Sequence, residues 1–251
     1  MNQIAKTPDP LYYAVVFTSA RTAIDEGYAE IIKKLETMSD PAIVDLKSKR
    51  GSRAQNSYGV KVRDLRTIAR DIGINHSLAL ELFRTGIHEA RKLASMIDNP
   101  QEVTGAQMEE WAGAFDSWDV CDCCCSSLFL KTQFAYTKAL EWSRRNEEYV
   151  KRAAFAMMAH LVFYDKFADD KKFEQFFPAI KGGAIDDRNF VKKAVNWSLR
   201  QIGKRNLALN KKAIKLAGAI QKIESKNAQW VASHALRELT GPNINILGYP
   251  R

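Results

Sequence analysis

Apolar residues recur at helical spacing along almost the whole chain, and short breaks interrupt the pattern at frequent intervals. Proline and glycine punctuate helices, and they mark most of these breaks. The breaks lie at Pro41, Gly73, Gly86, Asn99-Pro100, Gly182-Gly183 and Gly203. No run alternates β-branched and polar residues for long enough to form a strand. The pattern therefore predicts an all-α protein.

The periodicity also predicts the individual helices. They cover residues 27–38, 40–54, 62–72, 76–85, 88–97, 104–114, 117–130, 132–145, 147–164, 169–180, 187–204, 207–224 and 227–239. Asp40 before Pro41 suits an N-cap followed by proline at the first helical position.

Short helices joined by tight loops favour helix pairs stacked on one another, as in HEAT-like repeats of roughly 40 residues. The chain has 251 residues, so we expect a single repeat domain over 1–251 with about six such repeats. Within it, residues 1–26 would be an N-terminal packing segment, 27–240 the repeats and 241–251 a tail. Stacked pairs form a solenoid with a concave surface, which suits an extended partner better than a small metabolite.

The apolar run of residues 11–20 is too short to span a bilayer. No basic segment precedes it and no small-residue cleavage site follows it. We therefore expect a cytoplasmic protein without a membrane partner.

Positive charge is concentrated in the C-terminal part of the chain. Residues 1–150 carry 19 Lys and Arg against 21 Asp and Glu, whereas residues 151–251 carry 19 against 8. A local basic block also covers residues 47–66. This asymmetry favours a polyanionic partner, with nucleic acid before acidic lipid. The alternative is that the lysines only keep a helical surface soluble.

A row of cations surrounds one tryptophan in the segment 186–206. Spacings of four, three and four residues place Lys193, Trp197, Arg200 and Lys204 on one side of a helix. An indole among phosphate-seeking cations is typical of a nucleic-acid surface. A tryptophan buried in the core is the alternative.

Trp118 and Asp122 lie four residues apart in a predicted helix and therefore share a face. Asp116 would cap that helix or complement its dipole, and Asp119 would point to solvent. The alternative to a functional Asp122 is a carboxylate that bonds a hydroxyl or amide of the adjacent repeat.

Four cysteines crowd the same helix, at Cys121, Cys123, Cys124 and Cys125. One helical turn spreads its thiols around the circumference, so they cannot converge on one zinc ion. Adjacent thiols also make poor disulfides. We expect small buried thiols in a reducing compartment, and no metal site.

The segment 147–164 is apolar nearly all round, which predicts a buried inner helix. Arg152 lies in its first third, near Glu147 and Glu148. That arginine would either pair with these acids or reach a phosphate, and the residue context leaves both interpretations open.

Four motifs together resemble the AlkD-like family of DNA alkylation repair glycosylases. They are "YGVKVRDLRTIAR" (58–70), "SWDVCD" (117–122), "VKRAAF" (150–155) and "FVKKAVNWSLRQ" (190–201). The resemblance spans roughly residues 28–240. The chain departs from the family at Ser117, where relatives can carry a second aromatic residue, and in the cysteine run that follows Asp122.

The resemblance implies a solenoid of HEAT-like repeats whose concave basic surface holds duplex DNA. It implies hydrolytic excision of positively charged N3- and N7-alkylpurines, without a base-flipping pocket, a cofactor or a metal. The implied catalytic residues are Asp122, Trp118 and Trp197, and the implied phosphate contact is Arg152. The cationic row adds Lys193, Arg200 and Lys204 as DNA-binding residues.

The sequence and the resemblance together therefore predict a monomeric alkylpurine DNA glycosylase whose partner is double-stranded DNA with alkylated purines. Asp122 is the feature that favours an enzyme, because a carboxylate on a DNA-binding face repels phosphate. Two other interpretations stay open. The chain could be a non-enzymatic HEAT-like module that binds DNA, or a scaffold whose basic surface meets an acidic protein.

Overall fold

The computed structural model describes residues 27–49, 51–52, 56–242 and 244–248. The predicted packing segment 1–26, with its apolar run 11–20, lies outside the described residues, as does part of the tail 241–251. The described residues form helices and loops and contain no β-strand. The expected all-helical architecture is thus confirmed for this part of the chain.

The helices follow one another with short connections. The first seven are α1 (27–37), α2 (Pro41–Lys49), α3 (Val62–Ile72), α4 (His76–Arg84), α5 (His88–Ile97), α6 (Gly105–Gly113) and α7 (Trp118–Ser127). A 3-10 turn follows at Phe129–Lys131. The others are α8 (Ala135–Trp142), α9 (Glu148–Tyr164), α10 (Lys171–Glu174), α11 (Phe177–Gly183), α12 (Asn189–Lys204), α13 (Leu207–Gln221) and α14 (Lys226–Leu239).

Two of the predicted helices are wrong in extent. The segment 169–180 was expected to be one helix but forms α10 and α11, with Pro178 in the first turn of α11. Proline lacks the N–H that a continuous helix would need there. The helix predicted over 40–54 ends at Lys49, and Gly51 follows with a φ of 80°. A residue with positive φ after the last turn is a common helix stop.

The described residues form two compact units, the first within Met1–Leu46 and Gln55–Asp98, the second within Lys47–Ala54 and Asn99–Arg251. No helix in the described part of the chain is long and apolar enough to cross a membrane. A single repeat domain over 1–251 stays a prediction.

In the first unit, a buried carboxylate of α5 organises the loop before α3. Glu89 is fully buried and accepts hydrogen bonds from Ser57 Oγ at 2.8 Å, Tyr58 N at 2.8 Å and Gly59 N at 3.1 Å. The loop also bonds to the start of α2, where Asp40 N donates to Tyr58 O at 2.8 Å. Asp40 Oδ1 in turn accepts a hydrogen bond from Ala42 N at 3.0 Å, so the predicted cap is confirmed.

In the second unit, α9 is the inner helix that the sequence predicts. Every side chain from Ala153 to Ala159 is fully buried, and α9 packs against α6, α7, α8 and α12. The described part of α12 packs in turn against α13 and α14. Helix α9 thus fixes the relative positions of α7 and α12, which carry the residues singled out from the sequence.

The C-terminal end of α9 is held by the buried guanidinium of Arg205. Its nitrogens donate to the carbonyl oxygens of Val162 at 2.8 Å, Lys166 at 2.9 Å and Ala168 at 2.9 Å. These carbonyls include groups at the helix end that have no intrahelical partner. The guanidinium therefore stabilises the end of α9 and fixes its position relative to the end of α12.

Candidate active site on helices α7, α9 and α12

Arg152 of α9 and Asp122 of α7 form a two-pronged ion pair. Arg152 Nε lies 2.9 Å from Asp122 Oδ1, and Nη2 lies 2.7 Å from Oδ2. The remaining terminal nitrogen, Nη1, donates to the carbonyl oxygen of Phe190 at 2.7 Å, near the start of α12. One guanidinium therefore joins three helices and fixes the orientation of the carboxylate.

The pair is mostly buried, but the carboxylate keeps an open edge. The side chain of Arg152 is 8% exposed and that of Asp122 is 21% exposed. Burial favours a neutral Arg152, but the ion pair with Asp122 outweighs it and raises the pKa of the guanidinium. A carboxylate has about four lone-pair sites, and Arg152 occupies two of those on Asp122. The others can accept hydrogen bonds from a bound molecule or water.

Trp118 stands beside this pair at the first position of α7. Its ring centroid lies 5.8 Å from the guanidinium carbon of Arg152, within the range of a cation–π contact. The indole is half-buried, and its Nε1 finds no hydrogen-bond partner among the described residues. The helical spacing of Trp118 and Asp122 therefore does bring both side chains to one arginine.

The structure modifies the predicted roles of the two neighbouring acids. The N-cap of α7 is Ser117, so Asp116 is not the capping residue, and its alternative role of complementing the helix dipole stays a prediction. Asp119 was expected to be solvated, but Ser52 Oγ donates a hydrogen bond to its Oδ1 at 3.2 Å. The sequence pattern missed this bond because Ser52 lies outside the helix and far away along the chain.

Trp197 of α12 is half-buried, so it is not sealed in the core, and the alternative of a tryptophan packed partly into the core stays open. Its ring meets the imidazole of His160 of α9 edge to face, with 4.8 Å between centroids and 87° between planes. The structure thus brings Trp197 to α9, whereas Trp118, Asp122 and Arg152 contact one another directly.

His160 is a residue of this site that sequence reasoning missed. Burial lowers its pKa, while the negative charge of Asp122 acts in the opposite direction. Its Nε2 is buried without a hydrogen-bond partner among the described residues. His160 follows Arg152 by about two helical turns, and that spacing could have indicated a shared face.

The cationic row on α12 carries a counter-ion that the sequence did not predict. Glu238 of α14 pairs with Arg200 and lies 2.8 Å from Lys204 Nζ. Burial opposes ionisation of Glu238, but hydrogen bonds from Lys204 and Arg200 lower its pKa. Lys193 is exposed. One carboxylate therefore holds two of the cations that the sequence assigns to DNA binding.

Two of the four cysteines of α7 face α9. Cys121 Sγ lies 3.5 Å from Tyr149 O, and Cys125 Sγ lies 3.6 Å from Ala153 O. Burial raises the pKa of Cys125, which keeps its thiol protonated. The prediction of buried thiols is confirmed for these two and for Cys124, whereas Cys123 is half-exposed. Small side chains at this contact allow α7 to lie close to α9, which brings Asp122 within reach of Arg152.

Three or more His, Cys, Asp or Glu side chains arranged to hold a metal ion do not occur among the described residues. The ionisable groups of the site are instead Asp122, Arg152 and His160. Their arrangement can supply an oriented negative charge near the Trp118 ring, within electrostatic range of an imidazole whose pKa is lowered by burial.

Comparison with known proteins identifies the family. A model of the family described as DNA alkylation repair enzyme matches residues 31–239. The chain belongs to this family. This chain is also similar to the uncharacterized protein Lin0241 of Listeria innocua serovar 6a, with 25% identity over 169 residues. The match covers 66% of this chain and 73% of that protein.

A solved structure agrees with this assignment at the level of the fold. It comes from a family described as related to the HEAT-like repeat DNA glycosylases, with affinity for branched DNA structures. The two structures superpose with a TM-score of 0.73 at 20% identity, over 89% of this chain and 97% of the other. The predicted fold class, an all-α array of HEAT-like repeats, is thereby confirmed.

Proposed function

We propose that this protein is a monofunctional DNA glycosylase that hydrolyses the N-glycosidic bond of positively charged N3- and N7-alkylpurines in duplex DNA. The observation that carries the proposal is the Asp122 carboxylate, which both prongs of Arg152 orient and which keeps an open edge. Membership of the DNA alkylation repair family supports DNA as the partner and repair as the process.

The chemistry suits an isolated carboxylate. Alkylation at N3 or N7 makes the purine cationic, so the base leaves as a neutral molecule and needs no added proton. The barrier then lies in the positive charge that develops on the deoxyribose. A carboxylate that is already oriented stabilises this charge without reorganising during the reaction. Its free lone pairs also suit it to orient the attacking water.

The two indoles complete the proposed site. Aromatic faces attract positive charge, so Trp118 and Trp197 would stabilise the cationic sugar from the sides. The Trp197 ring is half-buried and makes an edge-to-face contact with the His160 imidazole. A half-buried ring that is held on one side keeps surface available for a sugar.

His160 does not provide this site with a proton donor for the leaving base. Because burial lowers its pKa, its imidazole is uncharged at neutral pH and is a poor proton donor there. Neutral lesions such as hypoxanthine or uracil leave more easily when a general acid protonates them. The proposed enzyme should therefore act poorly on these bases.

DNA backbone contacts are assigned in this proposal to Lys193, Arg200 and Lys204, as the cationic row indicated. Arg152, the phosphate contact that the resemblance implied, is 8% exposed and is engaged by Asp122 and Phe190 O, so in this proposal it positions the carboxylate. The excess of positive charge in residues 151–251 supports the assignment. Glu238 reduces the contribution of Arg200 and Lys204 to DNA binding, because a phosphate must compete with its carboxylate for them. We expect the enzyme to act as a cytoplasmic monomer without a cofactor.

A second candidate function is DNA binding without catalysis. The solved relative belongs to a family described by its affinity for branched DNA structures, and it has the same fold. In that case Asp122 would serve only as the structural partner of Arg152. The two candidates differ in one observable, the release of a free base.

The test uses duplexes that carry 7-methylguanine, 3-methyladenine, hypoxanthine or uracil. Free bases are separated and quantified after incubation with the full-length protein, with and without a chelator. We expect both methylated purines to be released, the neutral bases at least about a hundredfold more slowly, and no effect of the chelator. Duplex binding without any release would support the second candidate. Release of uracil as fast as 7-methylguanine would overturn the proposed mechanism.

A further inference from the structure

A cavity of about 390 Å³ lies between α12 and α14 and does not include the pair of Asp122 and Arg152. Three cations line it, together with two aromatic rings and one carboxylate. These residues are Lys193, Arg200, Arg237, Trp230, His234 and Glu238. The volume falls within the range of protein sites for small ligands. The excess of positive charge favours an anionic one.

The two rings form a rigid pair. The Trp230 and His234 ring centroids are 4.1 Å apart, with 33° between the ring planes. His234 Nδ1 lies 2.9 Å from the carbonyl oxygen of Trp230, to which it donates a hydrogen bond. Lys192 Nζ lies 5.1 Å from the Trp230 centroid and donates to Asn227 Oδ1 at 3.1 Å. The ring pair is therefore preorganised before any ligand arrives.

The cations of the cavity are only partly satisfied. Glu238 binds one nitrogen of Arg200, whose Nε is buried and has no hydrogen-bond partner among the described residues. Glu238 carries one negative charge for the two cations that it binds, so net positive charge remains at the cavity. Lys193 and Arg237 are exposed at the same cavity. A phosphate can bind to these two cations without first breaking the ion pairs that Glu238 forms with Arg200 and Lys204.

We infer that this cavity binds an unpaired nucleotide of DNA. The base stacks on the Trp230–His234 ring pair, and Lys193 and Arg237 bind the phosphate. Aromatic stacking combined with a cationic wall is the general means of holding single-stranded nucleic acid. A base inside a duplex is already stacked on its neighbours and cannot offer a face to the rings. The inference rests on the proposed function in taking DNA as the partner.

The first test separates stacking from charge at His234. Binding of a short fluorescent thymidine strand and of a blunt duplex is measured by anisotropy at one salt concentration. We expect His234→Ala to weaken single-strand binding about tenfold, which corresponds to the loss of one stacked base. His234→Phe keeps a ring and should stay within about twofold of the parent protein. Blunt-duplex affinity should not change in either variant.

The second test addresses the phosphate. We expect Lys193→Ala/Arg237→Ala to reduce the salt dependence of single-strand binding by about one released ion or more. The matched control is Lys211→Ala/Lys215→Ala, which removes the same charge from exposed positions of α13 outside the cavity. A control that reduces the salt dependence equally would overturn the assignment of the phosphate to the cavity.

The outcomes distinguish this inference from the proposed function. Equal losses in His234→Ala and His234→Phe, or no loss in either, would overturn base stacking even if alkylpurines are released normally. Absence of base release, with single-strand binding that depends on the His234 ring, would leave the cavity standing and end the glycosylase proposal. Failure to bind either form of DNA would end both.

Discussion

Two carboxylates of this protein, Glu89 in α5 and Asp122 in α7, each accept several hydrogen bonds. They differ in whether part of the carboxylate remains accessible to another molecule. Glu89 is fully buried and accepts hydrogen bonds from residues 57–59, two of them from backbone N–H groups. Asp122 takes both of its hydrogen bonds from the Arg152 side chain and remains partly exposed.

The difference separates a structural acid from a candidate catalytic one. The donors to Glu89 in residues 57–59 belong to the loop that it organises, so its negative charge stabilises the conformation of that loop. The Asp122 charge is oriented by one side chain, and its open edge can meet a bound molecule. Removing Glu89 should therefore affect stability, and removing the charge of Asp122 should affect chemistry.

The largest expected effect is on catalysis. Asp122→Asn should lower the rate of 7-methylguanine release by about a thousandfold, because the amide cannot stabilise positive charge on the sugar. Duplex affinity should stay the same or improve, since a negative charge leaves the surface. Single-turnover release and anisotropy measure the two quantities.

The matched control is Asp71→Asn, at an exposed position of α3. It removes the same charge and should retain the parent rate. An Asp122→Asn variant that released the base nearly as fast as this control would place the catalytic group elsewhere.

Next in size is the loss of stability expected for Glu89→Gln. Glutamine has only one acceptor oxygen, and its amide nitrogen would face the N–H donors of the loop. Buried donors therefore lose their acceptor, which should lower the free energy of unfolding by about 3 kcal/mol. Urea unfolding measures the change, and the release rate per folded molecule should stay at the parent value. The exposed Glu81→Gln in α4 is the control and should change stability by no more than about 0.5 kcal/mol. Equal stabilities would mean that Glu89 does not organise the loop.

Gly59 in the same loop tests how closely the backbone is packed. Its φ is 79°, and an added Cβ would lie 2.2 Å from the carbonyl oxygen of Asp40. Gly73 has a φ of 74°, but an added Cβ there would meet no atom within 4 Å. We expect Gly73→Ala to cost about 1 kcal/mol from the backbone conformation alone, and Gly59→Ala at least about 2 kcal/mol. Identical unfolding free energies for the two variants would show that the close approach of residue 59 to Asp40 O does not affect stability.

A smaller effect on catalysis is expected when Asp122 keeps a cation but loses its two-pronged partner. Arg152→Lys retains the charge, yet an ammonium group cannot fix both carboxylate oxygens and also reach Phe190 O. Base release should slow about tenfold because the carboxylate is less well oriented. Arg144→Lys, at an exposed position, should have no effect. A parent-like rate for Arg152→Lys would show that orientation by the fork is dispensable.

The smallest effect concerns pH and His160. Burial lowers its pKa in the folded protein, so below about pH 6.5 the unfolded chain binds the proton more readily. Stability should therefore fall as the pH drops from that value toward the folded-state pKa. Unfolding midpoints at about pH 7.5 and pH 5.5 should differ less in His160→Gln than in the parent protein. The half-buried His234→Gln is the control, and a decline in His160→Gln as steep as in that control would contradict the assignment.

Much of the fold and part of the site could be predicted from local patterns. Helical periodicity predicted most helices, the buried character of α9 and the shared face of Trp118 and Asp122, because these features depend on residues within a few positions of one another. The Asp40 cap and the buried thiols follow from similarly local chemistry. Helical spacing also placed Trp197 in the cationic row, whereas the role of Arg152 came from the motif resemblance.

Partners between distant segments could not be predicted in this way. Glu238 lies 38 residues after Arg200 in sequence, yet it neutralises part of the cationic row. Trp197 and Arg200 are only about 60° apart around the axis of α12, but one side chain turns to α9 and the other to α14. Periodicity gives the direction of a side chain from its own helix. Which helix stands in that direction depends on how all the helices pack, and this packing paired Arg152 with Asp122 and enclosed Glu89.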